Sequence, residues 1–154
     1  MINLDRIDRH MLMILQKEGR LSTADLSERV GLSPSPCARR LKRMEDEGLI
    51  ENFQVNLNKK KAGITLTFFV EVNLNDHQAE SIAKFESALS HFEEVVNAHV
   101  VSGGYDYLLE VVSQDLESYE AFTRKLHNIT SLKDIQTHLS VRQVIEKSPL
   151  PVYI

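Results

Sequence analysis

The chain has 154 residues, room for one or two small domains, and its 42% hydrophobic content is ordinary for a globular protein. No apolar run approaches the roughly 20 residues of a membrane span, the start Met1-Ile2-Asn3-Leu4-Asp5 is not a signal peptide, and one cysteine excludes an internal disulfide, so a cytoplasmic protein is expected. The net charge of −4 hides an asymmetry: residues 1–61 carry 12 Lys and Arg against 9 Asp and Glu, the remainder 6 against 13. A cationic first part joined to an acidic second part is the arrangement expected when only the first meets phosphate.

A first helix is predicted from about Asp5 to Glu18, with Ile7, Met11, Ile14 and Leu15 turned inward, Asp5 and Asp8 near its positive end, and Gly19 closing it. Ser22-Thr23-Ala24-Asp25 has the spacing of a capping box with Asp in place of Glu, and Leu26 and Val30 share one face of a short helix that ends at Gly31. Ser33 then reads as an N-cap whose hydroxyl satisfies free amides, Pro34 and Pro36 as first-turn residues, and Gly48 as the stop of a third helix. On a wheel of about 100° per residue, Cys37, Leu41 and Met44 form a buried stripe while Ser35, Arg39, Lys42 and Arg43 gather opposite. Cys37 is therefore a small core residue rather than a reactive thiol.

A short helix, a glycine-containing turn and a second helix with a basic outer face make a helix-turn-helix, whose outer helix is a candidate for a DNA major groove. Ser33 belongs to the DNA-facing start of that helix. Ser35, Pro36 and Arg39 are expected to approach base edges, and Lys42 and Arg43 to hold phosphate. Arg40, on the flank, either contacts phosphate or pairs with the first helix.

After Gly48, Leu49–Leu57 alternates valine, phenylalanine and leucine and reads as an extended strand or small hairpin. The polar stretch Asn56–Gly63 is the linker, and its Lys59, Lys60 and Lys61 are either solvated or in reach of phosphate. The second half repeats a pattern. Strand Thr65–Leu74, a helix marked by Ile82, Phe85, Leu89 and Phe92, and strand Val95–Val101 are followed by strand Tyr105–Val112, a helix marked by Tyr119, Phe122, Leu126 and Ile129, and strand Ile135–Val144. Two strand-helix-strand units joined by a Ser102-Gly103-Gly104 turn make a βαββαβ, ferredoxin-like fold with both helices on one sheet face.

The fold class is thus α+β, with a winged helix-turn-helix domain over residues 1–55, a linker over 56–63 and a ferredoxin-like domain over 64–154. On the other sheet face, Phe69 lies opposite the Leu66, Phe68, Val70, Val72 and Leu74 set, and Val95 and Val101 lie opposite Val96 and Val100. A wet second face would alternate more cleanly. A second copy of the chain is expected to cover it, and the dimer would present two recognition helices to a two-fold DNA site.

The chain resembles the Lrp/AsnC (leucine-responsive, feast/famine) family of transcription regulators over nearly its full length. The residues that carry the resemblance are Leu4-Asp5 with Asp8, Asp25-Leu26-Ser27, Val30-Gly31-Leu32-Ser33-Pro34, Pro36, Arg40-Leu41, Met44-Glu45, Gly48 and Val101-Ser102-Gly103-Gly104-Tyr105-Asp106-Tyr107. The resemblance implies an effector-binding domain (the RAM domain) that dimerises through its sheet, further assembly of dimers, commonly into octamers, and a free amino acid or related metabolite bound between effector domains. It implies an effector site made of Ser102, Gly103, Gly104, Tyr105 and Asp106 in the loop between the second and third strands, and of Thr137, His138, Leu139 and Ser140 in the fourth strand. Gly104 and His138 depart from what leucine-responsive members usually show. Consecutive glycines would expose backbone amides to an α-carboxylate and Asp106 would meet the α-ammonium; the bland alternative is a plain hairpin braced by Asp106.

An enzyme would need a nucleophile, a metal cluster or a phosphate cradle, and none is legible. The histidines at 10, 77, 91, 99, 127 and 138 have no partner at metal-ligand spacing, and His99 is expected to be buried or at an interface. The expectation is a sequence-specific, double-stranded-DNA-binding regulator, nucleoid-associated, without a cofactor, whose assembly or affinity responds to a free amino acid. The alternative is a ligand-independent architectural DNA-binding protein.

Overall fold

The computed structural model describes residues 2–146 and 148–153. Met1, Lys147 and Ile154, which fall within the expected domains, lie outside the described residues. The chain forms two compact units, Met1–Asn56 with Ile145–Ile154, and Leu57–Val144. The tail thus belongs with the first unit, although it follows the second in sequence. Gln16 and Leu150 hold it there: the Gln16 amide donates to the Leu150 carbonyl at 3.2 Å, the Leu150 N–H donates back at 2.6 Å, and Val152 packs on the helical core.

The first unit contains α1 (Arg6–Lys17), α2 (Thr23–Val30) and α3 (Pro34–Asp46). Leu4, Met11, Leu12, Leu15, Leu26, Cys37 and Met44 are its buried core, with Ile7, Ile14, Val30 and Leu41 packed around them. Asp5 caps α1 through a full capping box with Asp8, each carboxylate accepting the other residue's N–H. At α2 the Ser22 hydroxyl oxygen accepts from Asp25 N–H at 3.1 Å, and the hydroxyl donates to the Asp25 carboxylate. Gly31 ends α2 at φ 70°, where a side chain would be strained, and Leu32 N–H bonds back to the Ser27 carbonyl at 2.9 Å.

Ser33 occupies the N-cap of α3 in extended conformation but its hydroxyl makes no capping bond, contrary to expectation. The reason is in the neighbours. Pro34 and Pro36 have no N–H, so a cap's usual target at the third position is missing. The segment Leu49–Leu57, expected as a strand or hairpin, adopts neither, and Phe53, Val55 and Leu57 are all exposed.

The second unit contains β1 (Leu66–Leu74), α4 (Ala79–Leu89), β2 (Val95–Val100), β3 (Tyr107–Ser113), α5 (Leu116–His127) and β4 (Leu132–Leu139). The sheet is antiparallel in the order β2-β3-β1-β4, the ferredoxin-like order. β4 begins three residues earlier and ends five earlier than expected, so Ser140 lies just beyond it, its N–H on the Thr67 carbonyl at 2.9 Å. Phe68, Val70, Val72, Leu74, Tyr107, Leu109 and Val111 meet Phe85, Leu89, Phe122 and Leu126 of the two helices in one buried core.

The other sheet face is less apolar than expected. Phe69 is 39% exposed there, but β1 also presents Glu71 and Asn73, and β3 presents Glu110 between Leu108 and Val112. These polar groups are paired within the copy: Glu71 with His138 at 3.3 Å, Asn73 with Asp134 at 3.0 Å, and Glu110 with Asn97 at 2.8 Å and Lys59 at 3.2 Å. His99 is exposed, not buried. Among the described residues no helix is long and apolar enough to cross a membrane.

Candidate functional site

Two regions gather the expected residues. In the first unit, Cys37 and Met44 turn one side of α3 into the core, and burial pushes the Cys37 thiol up from its ordinary pKa, as befits a packing residue. The opposite side exposes Ser35, Arg39 and Lys42, spaced four and three apart on one stripe, with Ser33 exposed and Pro36 half-buried at its start. The structure therefore brings Ser33, Ser35, Arg39 and Lys42 together on an open cationic surface.

Arg40 and Arg43 are placed elsewhere. Arg40 Nη1 donates to Asp5 at 2.6 Å and to Asp8 at 2.9 Å, and Arg43 Nη2 donates to Asp8 at 2.6 Å. Of the two readings of Arg40, the geometry selects the pair with α1. Arg43, expected to hold phosphate, pairs with Asp8 here and lies one step round the helix from the exposed stripe, with its side chain 41% exposed. Hydrogen bonds to Asp8 and Asp5 raise the Arg40 pKa, and the Asp8 N–H followed by the Arg40 guanidinium lowers that of Asp5. Both groups are charged at any physiological pH. Lys59 pairs with Glu110, while Lys60 and Lys61 are exposed.

In the second unit, the loop from Val101 to Asp106 joins β2 to β3. Its base is closed by Val101 N–H on the Asp106 carbonyl at 3.0 Å and Asp106 N–H on the Val72 carbonyl at 2.9 Å. Ser102, Gly103 and Gly104 form its exposed tip, and Gly103 has φ 136°, open only to glycine, so this turn needs it. Tyr105 is half-buried behind the tip.

Asp106 is not free. One carboxylate oxygen accepts Leu74 N–H at 2.8 Å and the other meets His77 Nε2 at 2.8 Å. The Leu74 N–H first, then His77, hold its pKa below the ordinary carboxylate value. His77 carries no signal in the sequence, since it lies in a short polar turn, and only the fold brings it to Asp106. Next along β3, the Tyr107 hydroxyl is buried and donates to Glu86 at 3.0 Å, and burial with that acceptor pushes its pKa up to about 12.

The fourth-strand residues do not join this loop within one copy. Thr137 and Leu139 point to the helix side, where Thr137 bonds the Tyr119 hydroxyl at 2.6 Å, while His138 points to the other face and pairs with Glu71. Thr137 lies opposite Val70 and Asp106 lies beyond the Tyr107–Val72 pair. With strands about 4.8 Å apart and about 3.3 Å per residue, the two groups are roughly 14 Å apart, too far for one amino acid to span.

Comparison with known proteins agrees with both halves of this description. The profile of the winged helix-turn-helix DNA-binding family matches residues 4–51, and that of the Lrp/AsnC ligand binding domain matches residues 67–150. The leucine-responsive regulatory protein of Klebsiella pneumoniae is 37% identical over 97% of this chain and 92% of its own length, and that of Escherichia coli K12 is 36% identical over the same shares. Among solved structures, an AsnC family transcriptional regulator from Agrobacterium tumefaciens aligns with a TM-score of 0.91 at 36% identity, covering 96% of this chain and 97% of that one. A transcriptional regulator from Neisseria meningitidis, solved as its L-Met complex, aligns with a TM-score of 0.94 at 30% identity over 98% of both chains. These relatives are regulators, not enzymes. With both profiles matched in order and the exposed stripe of α3 and the β2–β3 loop in place, the chain belongs to the Lrp/AsnC family of transcription regulators.

Proposed function

We propose that this regulator binds double-stranded DNA in a sequence-specific manner and that a free amino acid changes its assembly or its affinity. The observation that carries the reading is the open α3 stripe of Ser35, Arg39 and Lys42, which a helix destined only for packing has no reason to leave cationic and unpaired while its other two arginines are bound internally. Ser33, Ser35, Pro36 and Arg39 approach the bases and Lys42 holds phosphate. The first unit is the DNA-binding domain, and Leu57–Val144 is the effector and assembly domain.

The effector site is shared between copies. The Ser102–Gly104 amides of one copy receive the α-carboxylate, and Asp106 receives the α-ammonium once His77 turns aside. Thr137, His138, Leu139 and Ser140 of another copy complete the pocket. The distance between the two groups within one copy supports sharing, and sharing makes ligand occupancy and assembly one equilibrium. The relative solved with L-Met supports an amino acid as the effector class. The working form is a homodimer or a multiple of it in the cytoplasm, associated with the nucleoid.

Thermal melting against each of the twenty amino acids tests this reading, because a ligand at about one hundred times its Kd adds roughly 2.7 kcal/mol per site. One or two amino acids are expected to raise Tm, and Gly104→Leu to abolish the shift. A Cβ at Gly104 meets nothing within 4 Å, so that variant obstructs the loop without straining the fold. The occupied state of Asp106 favours one competitor, the ligand-independent architectural binder, in which Asp106 only braces the loop. A flat response across the panel, with DNA binding intact, would select it.

A further inference from the structure

Asp8 is the most buried charged side chain among the described residues of the first unit, 1% exposed. Its carboxylate accepts Asp5 N–H at 3.1 Å, Arg40 at 2.9 Å and Arg43 at 2.6 Å. Arg40 Nη1 bridges onward to Asp5, so two carboxylates at the start of α1 meet two guanidiniums from the flank of α3. The Nε of Arg43 is buried without a partner, so the inner edge of its guanidinium is turned toward Asp8, while the side chain as a whole is 41% exposed.

Arg40 and Arg43 are three residues apart, one turn of helix. Two such side chains gripping one buried carboxylate fix α3 both in rotation and along its axis. A turn of one residue, about 100°, would break both pairs and swing Arg39 off the DNA-facing stripe. The apolar contacts of Cys37 and Met44 are non-directional and specify the angle less sharply. We propose that Asp8 is the positioning residue of the recognition helix, acting through Arg40 and Arg43, and that neither arginine contacts DNA. The proposal rests on the DNA-binding reading given above and removes two cations from the phosphate-binding set.

The test uses the full-length protein and two duplexes: one enriched by the wild type from a random-sequence pool, and a shuffled version of it. Asp8→Asn keeps the size of the side chain and an acceptor for Asp5 N–H, and removes the charge. It is expected to lower the ratio of specific to shuffled affinity by about tenfold or more, with a salt dependence as steep as the wild type's or steeper, since released guanidiniums can reach phosphate. Arg43→Gln is expected to lose discrimination in the same way with no loss of salt dependence. A direct phosphate contact by Arg43 would instead weaken both duplexes alike and flatten the slope of log K on log salt by about 0.9, and that result overturns the proposal. So does an unchanged affinity ratio in Asp8→Asn.

If Asp8→Asn does not fold, Arg43→Gln decides by itself. If the wild type enriches no sequence, the regulator reading fails, and the proposal is then decided on non-specific DNA and by melting. The variant combining Asp8→Asn with Arg43→Gln should melt no lower than Asp8→Asn alone, and Arg43→Gln should keep the wild-type salt slope; additive losses or a flattened slope sink it.

Discussion

Asp8 and Asp106 are built alike but differ in their access to solvent. Each is a single carboxylate that ties separate segments of chain together, two for Asp8 and three for Asp106, and each accepts a backbone N–H and at least one cationic or potentially cationic side chain. Asp8 is sealed, whereas the Asp106 side chain is 24% exposed and its partner His77 is 69% exposed. A buried carboxylate has no solvent to turn to, even though its partners Asp5 and Arg43 are 50% and 41% exposed on their outer sides, so it serves as fixed architecture. A half-open one can exchange partners at little cost, which is what a site answering to a small molecule needs. Burial, rather than residue type, distinguishes the two aspartates, and the roles proposed for them rest on that difference.

The largest effect is expected at Asp8. Asp8→Ala leaves Arg40 and Arg43 without their shared acceptor and opens the α1 capping box, and a loss of about 3 kcal/mol is expected. Urea denaturation of the variant measures it. A loss below about 1 kcal/mol would put Asp8 in the same exposed class as Asp106 and erase the distinction.

Tyr107, the neighbour of Asp106, shows that the half-open character is local. Its hydroxyl is sealed against Glu86, so Tyr107→Phe is expected to cost about 1 kcal/mol at neutral pH. The folded pKa of about 12 lies above the ordinary value of about 10. Its contribution is therefore complete below the ordinary value and is lost as pH rises through the folded one. Wild-type stability should fall between those limits relative to Tyr107→Phe, and equal pH profiles for the two proteins would show the phenol to be in water.

Asp106→Asn carries the opposite sign. Leu74 N–H and His77 lower the folded pKa, so the charge contributes stability above the ordinary carboxylate value of 3.8 and loses it as pH falls through the folded one. Asparagine can still accept Leu74 N–H, so the loss at neutral pH should be small, under about 1 kcal/mol. Acid melts of the two proteins should converge below the folded pKa of Asp106. A gap that persists in strong acid would mean that the amide disturbs packing rather than charge.

Much of the architecture was legible because burial leaves a period in the sequence. The stripe of Cys37, Leu41 and Met44 and the paired spacings around Phe85 and Phe122 mark faces that the structure buries. Leu12 was missed because it follows Met11 directly and widens the inner face of α1 beyond one stripe. Ser33 makes no capping bond, and Pro36, which as a sequence signal marks a helix start, also removes the N–H at the third position that a cap uses. Pairings across long separations left no trace: Asp8 to Arg43 spans 35 positions, and Asp106 to His77 depends on where the β1–α4 turn lands. The aspartates themselves were singled out, yet the partners that decide their roles come from the fold. The second sheet face was read as more apolar than it is because Glu71, Glu110 and His138 alternate with the residues that were counted.

The smallest effect on stability is expected from His77→Ala. The His77–Asp106 pair is largely in water, so its removal should change stability by only a few tenths of a kcal/mol, about what exposed pairs contribute. Its effect on the ligand should be larger than its effect on the fold. An effector ammonium that takes Asp106 has to displace the imidazole first, and alanine removes that competition. The amino acid that shifts Tm in the wild type is therefore expected to bind His77→Ala more tightly, by titration calorimetry at a pH where the effector is zwitterionic. Unchanged binding would mean that Asp106 keeps its brace with ligand present, and that the ammonium is received by another group of the shared pocket. Weaker binding would place His77 itself on the ligand, its imidazole meeting the carboxylate beside the Gly103 and Gly104 amides.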